Sequence, residues 1–530
     1  MMRFEVPRGT RDFLPYETSD ASGMPDSFGM PDSSGMIVRN YVERALRASF
    51  ESFGYQEIQT PTFETFDLFA ARSGEEIRES MFTFASDAGR YALRPEMTAP
   101  VCRVVASGAL QECQPALAAP YKLYYFGPCF RYCKPRRGQY REFIQAGIEL
   151  MGAADELADA EVIALAVKVF RRLGIQGFRV KIGNVGIFRQ LLVGSESELQ
   201  EWQLEVIHDI DRLMHVQEAC DRILEKSEVN QSDQTYLQSE SDFLARLQAE
   251  IDYSGENRVK HGDNLSAEKL AQLARDTLAF KWNSEFALST DTGQLLLNLA
   301  QLRGSGQQVF PQAATILQGT SAAQDLEHLS KVCDWLTAFG IADFEVSLGT
   351  ARNLDFYTGT VFEIDVDFGG TFKQICGGGR YDKLVEDFGG EPTPATGFAF
   401  GFDRLVEVFQ QSQKRGGAPV FPPHLLAAVD VIVITNAATL RPDAVQISES
   451  LRDAGLRVAV DLSGRGLEAQ MEYAEKLRAE FQVILDQPGV DANTCKLRQR
   501  DSDAGFSEKS VLIADVAAEI KRRRVLENKQ

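Results

Sequence analysis

"DFYTGTVFEIDVDF", Asp355 to Phe368, alternates its side chains with the period of two that a β-strand imposes. Thr358, Thr360, Phe362, Ile364, Val366 and Phe368 fall on one side, and Gly359, Val361, Glu363, Asp365 and Asp367 on the other. That pattern predicts an antiparallel sheet with one buried face and one face able to carry polar chemistry. "RYALRPE", Arg90 to Glu96, and "KLYYFGPCFR", Lys122 to Arg131, read as further strands.

Outward from these strands the chain divides. From Val38 to Phe53 the apolar residues Val38, Tyr41, Val42, Leu46, Phe50 and Phe53 recur at helical spacing, and Gly54 stops the pattern. "YQEIQTPTFE" follows, with Pro61 suiting the end of an edge or interface strand. Residues 195–339 are mostly helical in pattern and read as an insertion into the sheet-bearing part. His208 and His215 share a face there, without a further ligand at i+3 or i+4, and read as packing or surface histidines. "QSQKRGGAPVFPP" is a Gly/Pro-rich linker. Beyond it, "VDVIVIT", "RVAVDLS" and "FQVILD" alternate with helical stretches, which predicts an α/β domain. The expected organisation is an α+β domain over 1–410, a linker over 411–426 and the α/β domain over 427–530. "GMPDSFGMPDSSGM", Gly23 to Met36, reads as a flexible insert at about 20–36. The basic run Lys521–Arg524 suits a helix C-terminus.

At 530 residues the chain exceeds what one core holds, and a net charge of −20 argues against indiscriminate adhesion to nucleic acid or anionic membrane. The eight cysteines show no pairing pattern; Cys129 and Cys133 lack the second pair that a zinc site needs, so no metal-binding residues are expected. No run is long and apolar enough to span a bilayer and "MMRFEVPRGTRDFLP" has no signal-peptide core, so a cytoplasmic protein is expected.

The chemistry is carried by arginine. No GxxxxGK[ST] is present, "CGGGRYD" (Cys376–Asp382) lacks a dinucleotide fingerprint and reads as a backbone turn that something approaches closely, and no nucleophile triad is evident. What remains is Arg94, Arg131, Arg141, Arg352, Arg380 and Arg404 on or beside strands, close in sequence to Glu96, Gln145 and Glu149. Guanidinium beside apolar strands is costly unless an anion meets it, so the set points to a phosphate-bearing substrate with a cationic group. "FRYCKPRRGQYREF", Phe130 to Phe143, concentrates five basic residues in this otherwise acidic chain.

These residues, in this order, resemble the histidyl-tRNA synthetases, a class II aminoacyl-tRNA synthetase family, along nearly the whole chain. "PRGTRDFLP" looks like the family's N-terminal signature, and the helix and strand ending at Pro61 like motif 1, which builds the dimer interface in this class. "RPEMTAP" is similar to the segment that meets the amino acid's ammonium group, and "FRYCKPRRGQYREF" to motif 2. "ARNLDFYTG" and "GGGRYD" resemble the two histidine-specific motifs, "ATGFAFGFDRLVEVF" resembles motif 3, and "VDLSGRGLEAQMEYAEKL" resembles the anticodon-binding domain.

The resemblance implies ATP-dependent activation of L-histidine to the adenylate, with Mg²⁺ bridging phosphate oxygens, and transfer to tRNA(His) by a homodimer. It implies that Arg131 holds the α-phosphate with Arg141 beside it, that Arg404 holds the γ-phosphate, and that Arg352 touches both the histidine carboxylate and the α-phosphate. Arg352 and Arg131 are thus the catalytic pair. Glu149 would accept from the imidazole with Tyr357 or Tyr381 on its other nitrogen, and Glu96, Thr98 and Gln145 would bind the ammonium. Lys134, Arg136 and Arg137 would meet the tRNA acceptor stem. The chain departs from the family at Cys133, where motif 2 has glutamate, and at Asn353, where glycine is usual. The alternative is a catalytically silent relative that senses histidine as the regulatory subunit of ATP phosphoribosyltransferase. That relative lacks the C-terminal domain and has usually lost some of these arginines.

Overall fold

The computed structural model describes residues 6–13, 35–71, 74–87, 89–113, 119–133, 140–193, 199–224, 231–250, 260, 265–352, 354–367, 372–415, 429–500 and 506–527. Most of the Gly23–Met36 repeat, most of the 411–426 linker, Lys134, Arg136, Arg137, Asn353 and Phe368 lie outside them. The chain divides into two compact units, Met1–Arg415 and Gly416–Gln530.

The first unit's strands, in chain order, are β1 (Gln56–Glu57), β2 (Phe63–Thr65), β3 (Thr83–Ser86), β4 (Gly89–Leu93), β5 (Tyr121–Phe130), β6 (Glu142–Met151) and β7 (Phe178–Asn184). They continue with β8 (Arg303–Gly304), β9 (Glu345–Ser347), β10 (Thr360–Asp367), β11 (Phe372–Arg380) and β12 (Ala395–Gly401). Nine form one sheet in the order β1-β5-β6-β12-β11-β10-β7-β9-β8, and β2-β4-β3 form a small second sheet. The middle of the large sheet, β5 through β7, is antiparallel throughout.

The Asp355–Phe368 stretch differs from its sequence reading in one respect. β10 lies between β11 and β7, and every residue from Thr360 to Val366 is buried, so the charged side is covered too. Its carboxylates are therefore paired inside the protein: Lys181 of β7 lies 2.8 Å from Asp365 and 3.7 Å from Glu363. Alternation separates the faces of a strand but does not say what covers them. "CGGGRYD" also differs: its glycines lie inside strand β11 rather than in a turn. Gly has little intrinsic preference for strands, yet here it is paired on both sides and leaves space that neighbouring groups fill.

Helix Met36–Ser52 buries Val42, Leu46 and Phe50 on one face and ends where Gly54 takes φ +83°, a conformation glycine adopts without strain. The chain then reaches the sheet edge at β1, parallel to β5. Arg94 ties this edge down by donating to the carbonyls of Thr60, Pro61 and Pro128 at 2.7–3.1 Å. It is a structural guanidinium. Arg380 is another, paired with the buried Asp159 at 2.9 Å and with Asp382 at 3.0 Å. Three helices, Glu201–Leu224, Gln231–Glu250 and Ala267–Phe286, pack against one another, and Trp282 of the third, fully buried, donates its indole N–H to Asp209 of the first at 2.9 Å.

The second unit is an α/β sandwich. Its strands β13 (Val431–Thr435), β14 (Val458–Val460), β15 (Phe481–Leu485), β16 (Thr494–Arg500) and β17 (Phe506–Leu512) run in the order β14-β13-β15-β16-β17. The first three are parallel and bury Val431, Val433, Phe481 and Val483 in one core. Burial alone would raise the pKa of Asp430, but bonds from Arg457 and Arg524 override it and lower it to about 2. The Lys521–Arg524 run is thus largely spent on ion pairs, with Arg522 and Arg523 on Glu519 and Arg524 on Asp430 and Glu480.

Candidate active site

Strands β6, β12, β11 and β10 floor a cavity of about 680 Å³, and loops at their ends wall it. Of the residues singled out in the sequence, Glu96, Thr98, Arg131, Gln145, Arg352, Tyr357, Tyr381 and Arg404 line it.

One end is acidic and aromatic. Glu149 on β6 shares the cavity-facing side of its strand with Gln145 but is itself buried and does not line the cavity; its carboxyl accepts from Tyr381 Oη and, at 3.2 Å, from Tyr125 Oη. It fits because its partner across the ladder is Gly397, where a Cβ would lie 1.9 Å from Glu149 Oε2. Burial, with Glu96 adding its charge, pushes Glu149 up to about 8 against the hydrogen bonds from Tyr381, Thr98 and Tyr125. Glu96 accepts from the backbone N–H of Thr98 at 2.5 Å and of Ala99 at 3.1 Å, capping helix Thr98–Ala106, and burial holds its carboxyl above the usual range. Gln145 Oε1 accepts from the Cys129 thiol at 3.4 Å.

The other end is cationic. Arg131 Nε donates to Pro95 O at 2.9 Å, and Arg404 Nη1 to Gln374 O at 3.1 Å. Burial first and the like charge of Arg131 second lower the pKa of Arg404, with Glu407 opposing them. Arg352 donates to Glu363 at 3.3 Å and lies 5.6 Å over the Tyr357 ring, while its buried Nε has no partner among the described residues. Burial opposes its charge, but Tyr357, Glu363 and Asp211 outweigh that and raise its pKa. Gly377 makes room for it, since a Cβ there would lie 1.7 Å from Arg352 Nη1.

Arg141 does not line the cavity. It donates to the carbonyls of Cys133 and Arg8 at 3.2 Å and stacks 4.1 Å over Tyr132, closing the base of the hairpin instead. Lys134, Arg136 and Arg137 fall outside the described residues, and Cys133 lines the cavity with its thiol 3.7 Å from Tyr140 O.

Sequence reasoning missed Asp211, His215 and Gln374, which also line the cavity. Gln374 had a signal, since β11 pairs it near the charged side of β10. Asp211 and His215 had none, because they arrive from the inserted helix Glu201–Leu224 through tertiary packing alone. All eight cysteines are free thiols.

Comparison with known proteins bears on the whole chain. A family model described as histidyl-tRNA synthetase matches residues 35–238 and 210–405, and one described as anticodon binding domain matches residues 428–523. A histidine--tRNA ligase of Archaeoglobus fulgidus is 34% identical over 504 residues, covering 94% of this chain and 96% of the relative. One of Methanosarcina acetivorans is 34% identical over 508 residues, covering 96% of each. The fold is that of the histidyl-tRNA synthetase structure from Nostoc sp. PCC 7120, with a TM-score of 0.66 at 22% identity over 99% of this chain and all of the other. The match at each domain and over nearly the full length places the chain in the histidyl-tRNA synthetase family.

Proposed function

We propose that this protein is a histidine--tRNA ligase, which joins L-histidine to ATP as histidyl-adenylate and passes the histidyl group to the 3′ end of tRNA(His). The observation that carries the reading is one cavity with Arg131, Arg352 and Arg404 at one end and Glu96, with Tyr381 held on Glu149, at the other. Histidine brings an imidazole and an ammonium to the acidic end and its carboxylate to Arg352, while ATP lays its phosphates along the arginines. The attack joins two anions, so fixed positive charge at the developing phosphoryl centre is the main requirement. Arg352 and Arg131 serve the α-phosphate in this reading, Arg404 serves the γ-phosphate, and Mg²⁺ enters with ATP as the magnesium salt of the substrate.

Glu149 accepts from the imidazole, Tyr357 or Tyr381 serves its other nitrogen, and Glu96, Thr98 and Gln145 take the ammonium. A pocket built on such bonds rejects side chains lacking the partner atoms, because its buried polar groups would be left unpaired. Arg141 supports the ATP loop, and Lys134, Arg136 and Arg137 contact acceptor-stem phosphates. Residues 1–410 carry the catalysis, 427–530 the anticodon contact, and 411–426 join them. Homodimer formation is supported by an exposed aromatic cluster on the small sheet: Phe63, Phe84 and Tyr91 lie with ring centroids 5.6–5.8 Å apart, and Phe63 is 50% exposed. The proposed compartment is the cytoplasm; among the described residues no helix is long and apolar enough to cross a membrane.

Histidine-dependent ATP–pyrophosphate exchange without tRNA tests the activation step. Exchange with histidine alone among the amino acids is expected. Histidine binding without exchange would overturn the reading in favour of a sensing role.

A further inference from the structure

The segment that carries Arg352 does not hold itself in place. Arg352 sits at φ +59°, a left-handed conformation that costs free energy for any residue with a Cβ. An arginine persists there only if something outside the segment fixes the backbone. That something is a carboxylate from the inserted helix Glu201–Leu224: Asp211 Oδ1 accepts from the N–H of Arg352 at 2.8 Å and from that of Ala351 at 3.3 Å. Three residues earlier on the same helix, His208 Nε2 lies 2.9 Å from Asp355 Oδ1, so the helix grips the segment on both sides of Arg352. Asp211 is buried, and it also contributes to keeping the Arg352 guanidinium charged.

We infer that Asp211 is a positioning residue for the activation step: it anchors the strained backbone of Arg352 so that the guanidinium enters the cavity, making the helical insertion part of the catalytic apparatus. The inference rests on the proposed role of Arg352. Asp211 touches no substrate in this account and acts only through Arg352. The contact spans 141 residues of sequence, so the insertion and the sheet must both be folded before Arg352 is aimed.

The test compares Asp211→Ala, Asp211→Asn and Arg352→Ala in the full-length protein, reading pyrophosphate exchange and the affinity for histidinol. Histidinol lacks the carboxylate that Arg352 would meet but keeps the imidazole and ammonium. Asp211→Ala is expected to lower exchange about 10- to 30-fold, the loss of one or two anchoring hydrogen bonds, while leaving histidinol affinity within about twofold of wild type. Asp211→Asn keeps a side-chain acceptor and is expected to recover most of the exchange. Exchange near the wild-type rate in Asp211→Ala, with Arg352→Ala inactive, overturns the positioning role alone. Loss of histidinol binding in parallel with exchange, in both Asp211 variants, overturns it in favour of general packing. An active Arg352→Ala would instead sink the reading of Arg352 and this inference with it.

Discussion

Burial pushes the Glu149 carboxyl from 4.5 up to about 8, a displacement whose consequence for stability can be measured. Between those values the folded chain keeps a proton that the unfolded chain has released, so raising the pH favours unfolding. Stability from this group is therefore complete below pH 4.5 and is lost progressively as pH rises to about 8. At about 1.4 kcal/mol per pH unit the full loss is roughly 5 kcal/mol, an upper figure because unfolding can be preceded by local opening. Glu149→Gln keeps the shape and the neutral state but has no proton to lose. Calorimetric melting of both proteins from pH 5 to 8.5 isolates the group, because the other titrating residues cancel in the difference. For a unit as large as Met1–Arg415 a kcal/mol moves the midpoint by roughly 1–2 °C. About 4 kcal/mol of that loss falls between pH 5 and 8, so wild type should lose about 4–8 °C relative to Glu149→Gln across the range. Saturating histidine should flatten the difference, since an imidazole N–H on the carboxylate favours its charged form. Parallel melting curves for the two proteins without histidine would refute the idea that Glu149 is stored as an acid.

Other outcomes follow from the same packing. Gly397→Ala puts a methyl into Glu149 and should lower histidine activation by about 100-fold or more, whereas Gly401→Ala, whose Cβ would meet Arg404 Cδ at 3.7 Å, should cost far less; steady-state exchange separates them. Arg380→Met leaves the buried Asp159 with His328 as its remaining charged partner among the described residues and should destabilise the first unit by about 3–5 kcal/mol in urea unfolding. Adding Asp159→Leu should restore much of that loss, and failure to do so would show the pair is not the cause. Phe84→Ser on the exposed aromatic cluster should shift sedimentation toward monomer; an unchanged dimer would move the interface elsewhere.

Legibility in the sequence followed how local the cause was. β10 was readable because its residues alternate in polarity, β5 because it is a short run rich in aromatic and apolar residues, and helix Met36–Ser52 because its apolar face repeats at helical spacing. β11 was misread as a turn because its glycines answer to neighbours far away in sequence: Gly377 yields to Arg352, and Gly378 to the backbone carbonyl of Gly397, which would lie 2.2 Å from a Cβ. Strands β16 and β17 carry alternating charge and an exposed edge, a pattern close to that of a solvated loop. At the site, the arginines announced an anion by their cost beside apolar strands. Arg94 and Arg380 shared that signal yet meet carbonyls and carboxylates of the protein, so residue type alone could not sort ligand-binding arginines from structural ones. Asp211 gave no signal because its meaning depends on a backbone N–H more than a hundred residues away.

The directions of the pKa displacements say why this cavity suits a zwitterion and a polyphosphate together. Arg404 is pushed toward its neutral form, as are Glu149 and Glu96, so these three are strained as ions in the protein alone. Arg352 is the exception, because Tyr357, Glu363 and Asp211 together outweigh its burial. Phosphate beside Arg404 and ammonium or imidazole beside Glu96 and Glu149 would each relieve the local penalty. In the proposed reading Arg352, whose charge is balanced in advance by groups of the protein, is held where a carboxylate and a phosphate would have to meet.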